Sequence, residues 1–269
     1  MQIDFKDDIR QAFVISKNEI KKFFRGKKIL IFGILILLII LLETIVPFAF
    51  NAPYSSKDSL LSSFVSFAVL IVELAGVLFT ATSLVSEFED RTALVLFTKP
   101  VNKWSIFAGK LMASMMAVGA FIIIYYLYAA LLSFTAPGDL NLVAFGQSLV
   151  LALLTTFGVC GVSMLFSSFA KKGSTASILT LVFFVLLIGL ISGLLNTMAH
   201  IDTWWSIDMA SGYVTYVFDG VYPVIIDTPP YVDYVAITTT DILRASGVLI
   251  TWGVVTNIIA FYIFRKRDF

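Results

Sequence analysis

One stretch of the chain, Ser86 to Lys110, mixes charge and apolar bulk in a way that suits docking on another surface. Glu87, Glu89 and Asp90 come first, where acidic side chains favour a helix start. Arg91, Thr92, Leu94 and Phe97 follow, with Phe88, Arg91, Leu94 and Phe97 at helical steps. Lys99-Pro100 disfavours continuation of that helix at Lys99. Asn102 is then a good cap for a second helix running through Trp104 and Gly109. Mixed charged and apolar groups on a short element are what a docking surface needs; a solvated connector is the competing reading. Two other carboxylates, Glu43 and Glu73, fall inside long apolar runs. An ionised side chain at a bilayer centre costs about 2.5–3.5 kcal/mol on insertion scales, so such residues face protein or water. Glu73 is expected to face a cavity or a polar group on a neighbouring helix and to shape substrate passage. Glu43 is the second candidate for the substrate pathway, although it lies close enough to an end of its run that reaching the interface would suffice to explain it.

Catalytic chemistry finds little material. Cys160 and His200 are the only residues of their kinds, so neither a disulfide nor a Cys/His metal cage can be built within the chain. An intramembrane serine protease needs a partnered histidine, and His200 falls outside the apolar runs. No G-x-x-x-x-G-K-[ST] loop occurs, since Gly109-Lys110 lacks both the earlier glycine and the following Ser/Thr. The chain is therefore expected to bind no cofactor, to be no enzyme, and neither to bind nor to hydrolyse ATP alone.

These residues must be positioned by a membrane-embedded scaffold. Of 269 residues, 59% are hydrophobic and 14% charged, whereas a soluble domain is about 25% charged. That excludes a water-soluble globule and disorder. The net charge of +1 carries no pervasive basic character, so nucleic acid is not an expected partner. Six stretches are long enough to cross a ~30 Å hydrocarbon core as helix: Ile29–Ala49, Phe64–Val85, Leu111–Phe134, Leu142–Ala170, Thr175–Met198 and Ala245–Phe264. The runs are continuous rather than alternating, and none carries an interior proline, so the expected fold is an all-α membrane protein with six transmembrane helices.

Charge segregation orients it. Of 19 lysines and arginines, only Lys57 and Arg244 fall outside the N-terminal segment, the second-to-third loop, the fourth-to-fifth loop and the tail. By the positive-inside rule those four segments, and both termini, are cytoplasmic. The opposite side holds most prolines and a fifth loop rich in aspartate, tryptophan and tyrosine. That loop is expected to be solvated, since its aspartates match no calcium loop. Phe5, Ile9, Phe13, Ser16, Ile20 and Phe24 form a helical stripe beside a basic face, the pattern of an interfacial amphipathic helix. The long first apolar run and the polar segment before it argue against a cleavable signal peptide. The expected organisation is an elbow helix at 1–28 and a six-span domain at 29–269, with a cytoplasmic loop at 87–110 and an outer loop at 199–241. Gly189 and Gly193 form a small-xxx-small step read as packing within the subunit. Gly158 and Gly161 thin the fourth span for close helix approach.

The order acidic–x–acidic–x–Arg–Thr, a Leu-rich helical turn, Lys-Pro-Val-x-Lys-Trp and then Gly-Lys opening a span resembles the permeases of type-2 ATP-binding cassette (ABC) exporters. Glu87, Glu89, Arg91, Thr92, Lys99, Pro100, Trp104, Gly109 and Lys110 carry the resemblance, and Glu19-Ile20-Lys21 with Phe24-Arg25-x-Lys27 before the first span is also similar. The resemblance implies a dimer of permeases in the cell membrane worked by two copies of a separate ATPase, which would bind the ATP and Mg2+. It implies a coupling helix over 87–97, with Glu87, Glu89, Arg91, Thr92, Leu94, Phe97 and Lys99 toward that ATPase. It implies an elbow helix near it, and an outer fifth loop folded into short helices. A hydrophobic or amphipathic substrate (a drug, lipid or peptide) suits the apolar interior. The alternatives are an ATP-independent carrier or channel and a structural membrane subunit.

Overall fold

Runs such as Ile29–Leu42 can keep every backbone N–H and C=O paired away from water only as helix, and helix is what they form. The computed structural model describes residues 5–50, 54–89, 102–199, 201–225 and 232–267. The amphipathic segment is α1 (Phe5–Arg25), followed by α2 (Lys28–Ala49). Between them Lys27 takes a left-handed conformation, φ 59°, which ends α1 and redirects the chain. Next, α3 (Lys57–Ala75) continues through a π-helical turn at Gly76–Thr80 and a non-helical step at 81–84 into α4 (Val85–Glu89). Two long helices follow, α5 (Lys103–Ser133) and α6 (Leu142–Phe169). The fifth apolar run is α7 (Gly173–Val182), a π-helical stretch at Phe183–Ile188 and α8 (Gly189–Met198). The chain closes with α9 (Ile207–Asp219), the strands β1 (Val221–Ile225) and β2 (Val232–Ala236), and α10 (Thr239–Lys266).

Six helical runs among the described residues are long and apolar enough to cross a membrane: Lys28–Pro47, Lys57–Glu87, Lys103–Ser133, Leu142–Phe169, Gly173–Asn196 and Thr239–Lys266. These are the six expected, lengthened mostly at their polar ends. The expected absence of an interior proline needs correction, because α2 runs on through Pro47 in its last turn. The fourth span is the most enclosed, with 61% of its apolar window buried, against 22% for the first and fifth. It is the mast of the bundle. Gly161 of α6 lies so close to α10 that a Cβ there would meet the Thr256 hydroxyl and, at 2.9 Å, the Gly253 carbonyl. That is the close approach the sequence predicts for this glycine. Gly189 and Gly193 behave otherwise: among the described residues a Cβ at either would meet nothing within 4 Å, so neither marks a close helix approach there.

The fifth loop contains a short helix, as the resemblance implies, but it departs from the expected solvation. Its helix α9 belongs to the core, with Ile207, Ala210, Tyr213, Val214 and Val217 buried. Ile207 lies against Gly158, midway along α6. Ser148 donates to the Val214 carbonyl at 2.6 Å, and Ser62, near the start of α3, donates to Asp219 at 2.8 Å. α9 therefore begins deep among the spans and climbs back toward the Lys57 end of α3. It stops at Gly220, whose φ of 70° suits a residue without a Cβ. The antiparallel hairpin then pairs Val221 with Ala236 and Ile225 with Val232. Pro223 is tolerated because a two-stranded ribbon is all edge.

Candidate functional site

The second span loses its regular helix before its polar end, and the backbone groups that this frees must find partners in an apolar bundle. Four neighbours supply them. Ser167 of α6 accepts from the backbone N–H groups of Leu84 and Val85 at 3.1 and 3.2 Å. The Lys28 ammonium at the start of α2 donates to the Leu78 carbonyl at 3.1 Å and to Thr82 Oγ1 at 2.6 Å. Ser114 donates to the Phe79 carbonyl at 3.4 Å. Lys110 donates to the Ser83 carbonyl at 2.7 Å. The foot of the second span is thus a bent segment whose shape is held by side chains of the first, third and fourth.

Lys110 is the centre of this arrangement. Its side chain is only 1% exposed, and besides Ser83 it meets Glu19 Oε1 at 3.0 Å and Glu87 Oε1 at 2.9 Å. Lys22 closes the group from the rim, 2.8 Å from Glu87 Oε1 and 3.3 Å from Glu19 Oε2. Two lysines and two glutamates sum to zero charge, which is how such a group survives burial: each charge would be costly alone. The cluster joins α1, α4 and α5. Burial alone would lower the Lys22 ammonium, but the hydrogen bond to Glu87 and the charges of Glu19 and Glu87 outweigh it and hold the group above its ordinary 10.5. A raised lysine contributes stability that is fully present below its unfolded value and fades as pH rises through the folded one. Lys22→Gln should therefore lower the melting temperature by the same amount at about pH 6 and about pH 9. The gap should narrow only above about pH 10.5, a pattern that thermal melts across pH will read.

The elbow helix is seated by a second set of contacts. At Gly109 a Cβ would stand 2.6 Å from the Ala12 carbonyl and 2.9 Å from Ile15 Cβ, so α1 touches the backbone of α5. Asp8, also buried, accepts from Asn102 Nδ2 at 3.2 Å and from Ser105 Oγ at 3.4 Å. Asn102 caps α5 by accepting from the Trp104 N–H at 3.1 Å, as its position in the sequence predicts. The face of α1 that docks is Asp8, Ala12, Ser16, Glu19 and Phe23. It overlaps the expected stripe only at Ser16 and, at its edge, Ile20, while Ile9, Phe13 and Phe24 of that stripe remain exposed.

The remaining ends meet at the same level. Glu89 Oε2 accepts from the Gly173 N–H at 2.8 Å and so caps α7, where a carboxylate is favoured. Arg267 donates to the Ser168 and Ala170 carbonyls at the end of α6, at 3.1 and 2.6 Å. Lys103 donates to the Arg265 carbonyl at 3.0 Å. Every span thus has an end tied into one polar layer, and Glu89 and Asn102, the described residues on either side of 90–101, both belong to it.

Of the sequence-predicted site residues, Glu87 and Glu89 are brought into this layer and are turned onto their own chain. Arg91, Thr92, Leu94, Phe97 and Lys99 lie outside the described residues. Glu43 and Glu73 are elsewhere and apart from each other. Glu43 accepts from the Tyr125 hydroxyl at 2.7 Å, and its backbone carbonyl accepts from Tyr54 at 2.9 Å, so a buried tyrosine rather than the interface alone holds it. Glu73 is half-buried near Asp208 at the deep end of α9, and its carboxylate has no hydrogen-bond partner among the described residues. Sequence reasoning missed Glu19, Lys22 and Lys110 as a set. The available signal was Glu19 at helical spacing from Asp8, Ala12, Ser16 and Phe23, with Lys22 three residues on and a lysine inside an apolar span.

No curated protein matches the chain in sequence. Residues 13–269 match the family described as ABC-2 family transporter protein.

Proposed function

Since the chain belongs to the ABC-2 transporter family and is a multi-pass membrane protein, we propose that it is the permease subunit of an ATP-driven exporter, paired with a second permease and worked by two copies of a separate ATPase. Both termini and residues 90–101 face the cytoplasm of the cell membrane in this reading, on the distribution of lysine and arginine. The observation that carries it is the Lys110 cluster, which joins the elbow helix, the foot of the second span and the start of the third, with Glu87 only three positions before residues 90–101 in the sequence. A push on those residues reaches these three elements through short, charge-assisted contacts and favours one arrangement of the spans over another.

Roles divide accordingly. Arg91, Thr92, Leu94, Phe97 and Lys99 are the ATPase-facing residues. Glu87 and Glu89 are the roots of the lever, anchoring it to α5 and α7. ATP and Mg2+ sit on the ATPase, and this subunit performs no chemistry. Glu73 and Glu43 line the route of a hydrophobic or amphipathic substrate. Affinity purification of the tagged chain from its native membrane should recover an ABC ATPase in equal amount. Arg91→Glu should lose it while leaving the permease fold intact by circular dichroism. Recovery of no ATPase, or solute movement by the pure chain without nucleotide, would overturn the proposal.

A further inference from the structure

Helix α1 is divided lengthwise into three sectors. At 100° per residue, Asp8, Ala12, Ser16, Glu19 and Phe23 form one face, which is buried. Ile9, Phe13, Ile20 and Phe24 form the next. Arg10, Lys17 and Lys21 form a third, bordering the apolar stripe on the side away from α5, and all three are exposed. None of the three makes an ion pair among the described residues. Where the apolar stripe passes the start of α2, it forms one wall of a groove of about 330 Å³. Ile20 and Phe24 line it from α1, Ile29 from α2, and Met116, Ala120 and Phe121 from α5. The lining is almost wholly apolar, and it opens sideways, since Phe24 and Met116 are 65% and 57% exposed.

A groove of this kind beside a basic edge is complementary to one sort of molecule: an apolar chain attached to an anionic head. We propose that it holds an acyl chain of an anionic phospholipid, whose phosphate is held at the edge by Lys17 and Lys21. The proposal rests on α1 lying in the membrane interface, as the functional reading has it, but on no part of the ATPase coupling. Charge complementarity chooses this occupant over a second copy of the chain, because the exposed flank of α1 bordering the groove is basic and a second copy would bring the same basic flank to it.

The full-length chain, purified in detergent and exposed to equal amounts of dioleoyl phosphatidylglycerol and dioleoyl phosphatidylcholine, is expected to retain one phosphatidylglycerol in native mass spectrometry. Lys17→Gln with Lys21→Gln changes only exposed side chains. It should reduce the preference for the anionic lipid roughly 25-fold, since a lysine near an anionic surface contributes about fivefold. Ala120→Phe should fill the groove and abolish retention of either lipid. Equal retention of both lipids by the unaltered chain would overturn the proposal, as would an unchanged preference in the double lysine variant. A lower oligomer mass in Ala120→Phe with the lipid count unchanged would assign the groove to a second copy and also overturn it. ATPase recovery plays no part in these readings, so failure here leaves the transport reading standing.

Discussion

Lys110→Met is expected to cost about 3–5 kcal/mol, the usual result of removing one partner from a buried ionic group. The methionine fills most of the volume, so the effect isolates charge. Without Lys110, the Glu87 carboxylate keeps Lys22 among its cationic partners and Glu19 keeps Lys22 at 3.3 Å, but the group carries a net negative charge in a place where Lys110 was 1% exposed. The Ser83 carbonyl loses its donor too, and with it one of the contacts that hold the bend in the second span. In detergent the melting temperature should fall by roughly 10 °C. Reconstituted with the proposed ATPase partner, the variant should lose transport while nucleotide still binds. A second change provides the control: Lys110→Met combined with Glu87→Gln restores neutrality and should recover a good part of the melting temperature, a coupling that independent surface sites do not show. Lys110→Arg should not substitute, because the pocket holds a compact ammonium aimed at three acceptors rather than a planar fork. A melting temperature for Lys110→Met within about a degree of the unaltered chain would show that the cluster does not hold the foot together.

Much of this fold was legible because a membrane leaves few choices. The six spans follow from length and apolarity alone, and the cap at Asn102 from one residue type before a helix. What stayed hidden depended on which face of an element met which neighbour. The stripe of α1 was read correctly as apolar, yet most of it stays exposed: Ile9, Phe13 and Phe24 face outward, and only Ser16 and Ile20 meet the bundle. The docking face was the polar one, since Glu19 and Asp8 are buried against partners, Lys110 and Asn102, that are more than ninety residues away. Composition misled at the fifth loop. Its aspartates suggested solvation, although Ile207, Ala210, Val214 and Val217 repeat at helical spacing and bury a full face. The short strands were masked in the same way by Pro223 and Asp233 inside an otherwise apolar pattern. Glycines divided evenly. Gly161 serves close packing and Gly189 does not, and nothing in their local sequence distinguishes them.

The second large effect is expected at Gly109, where shape rather than charge joins α1 to the bundle. Gly109→Val places branched carbon where a single Cβ already stands 2.6 Å from the Ala12 carbonyl and 2.9 Å from Ile15. The nearest obstacle is backbone, which cannot turn aside as a flexible side chain does, so α1 has to lift from α5. Overpacking costs typically 1–3 kcal/mol when the surroundings can relax. Here relaxation means pulling Glu19 away from Lys110 and Asp8 away from Asn102 and Ser105. The loss should therefore exceed that range and approach the loss in Lys110→Met. The two variants differ in what they expose. Gly109→Val leaves every charge present but frees α1, so limited proteolysis should cut within 5–25 well before the spans are touched. Lys110→Met should loosen the foot of the second span as well. Gly109→Ala should fall between, with a smaller melting shift and slower cleavage. Transport should track the seating of α1 across the series. A Gly109→Val subunit that resists proteolysis and still transports with the proposed ATPase would mean that the elbow helix takes no part in the proposed coupling, and that α4 alone would carry it into the third span.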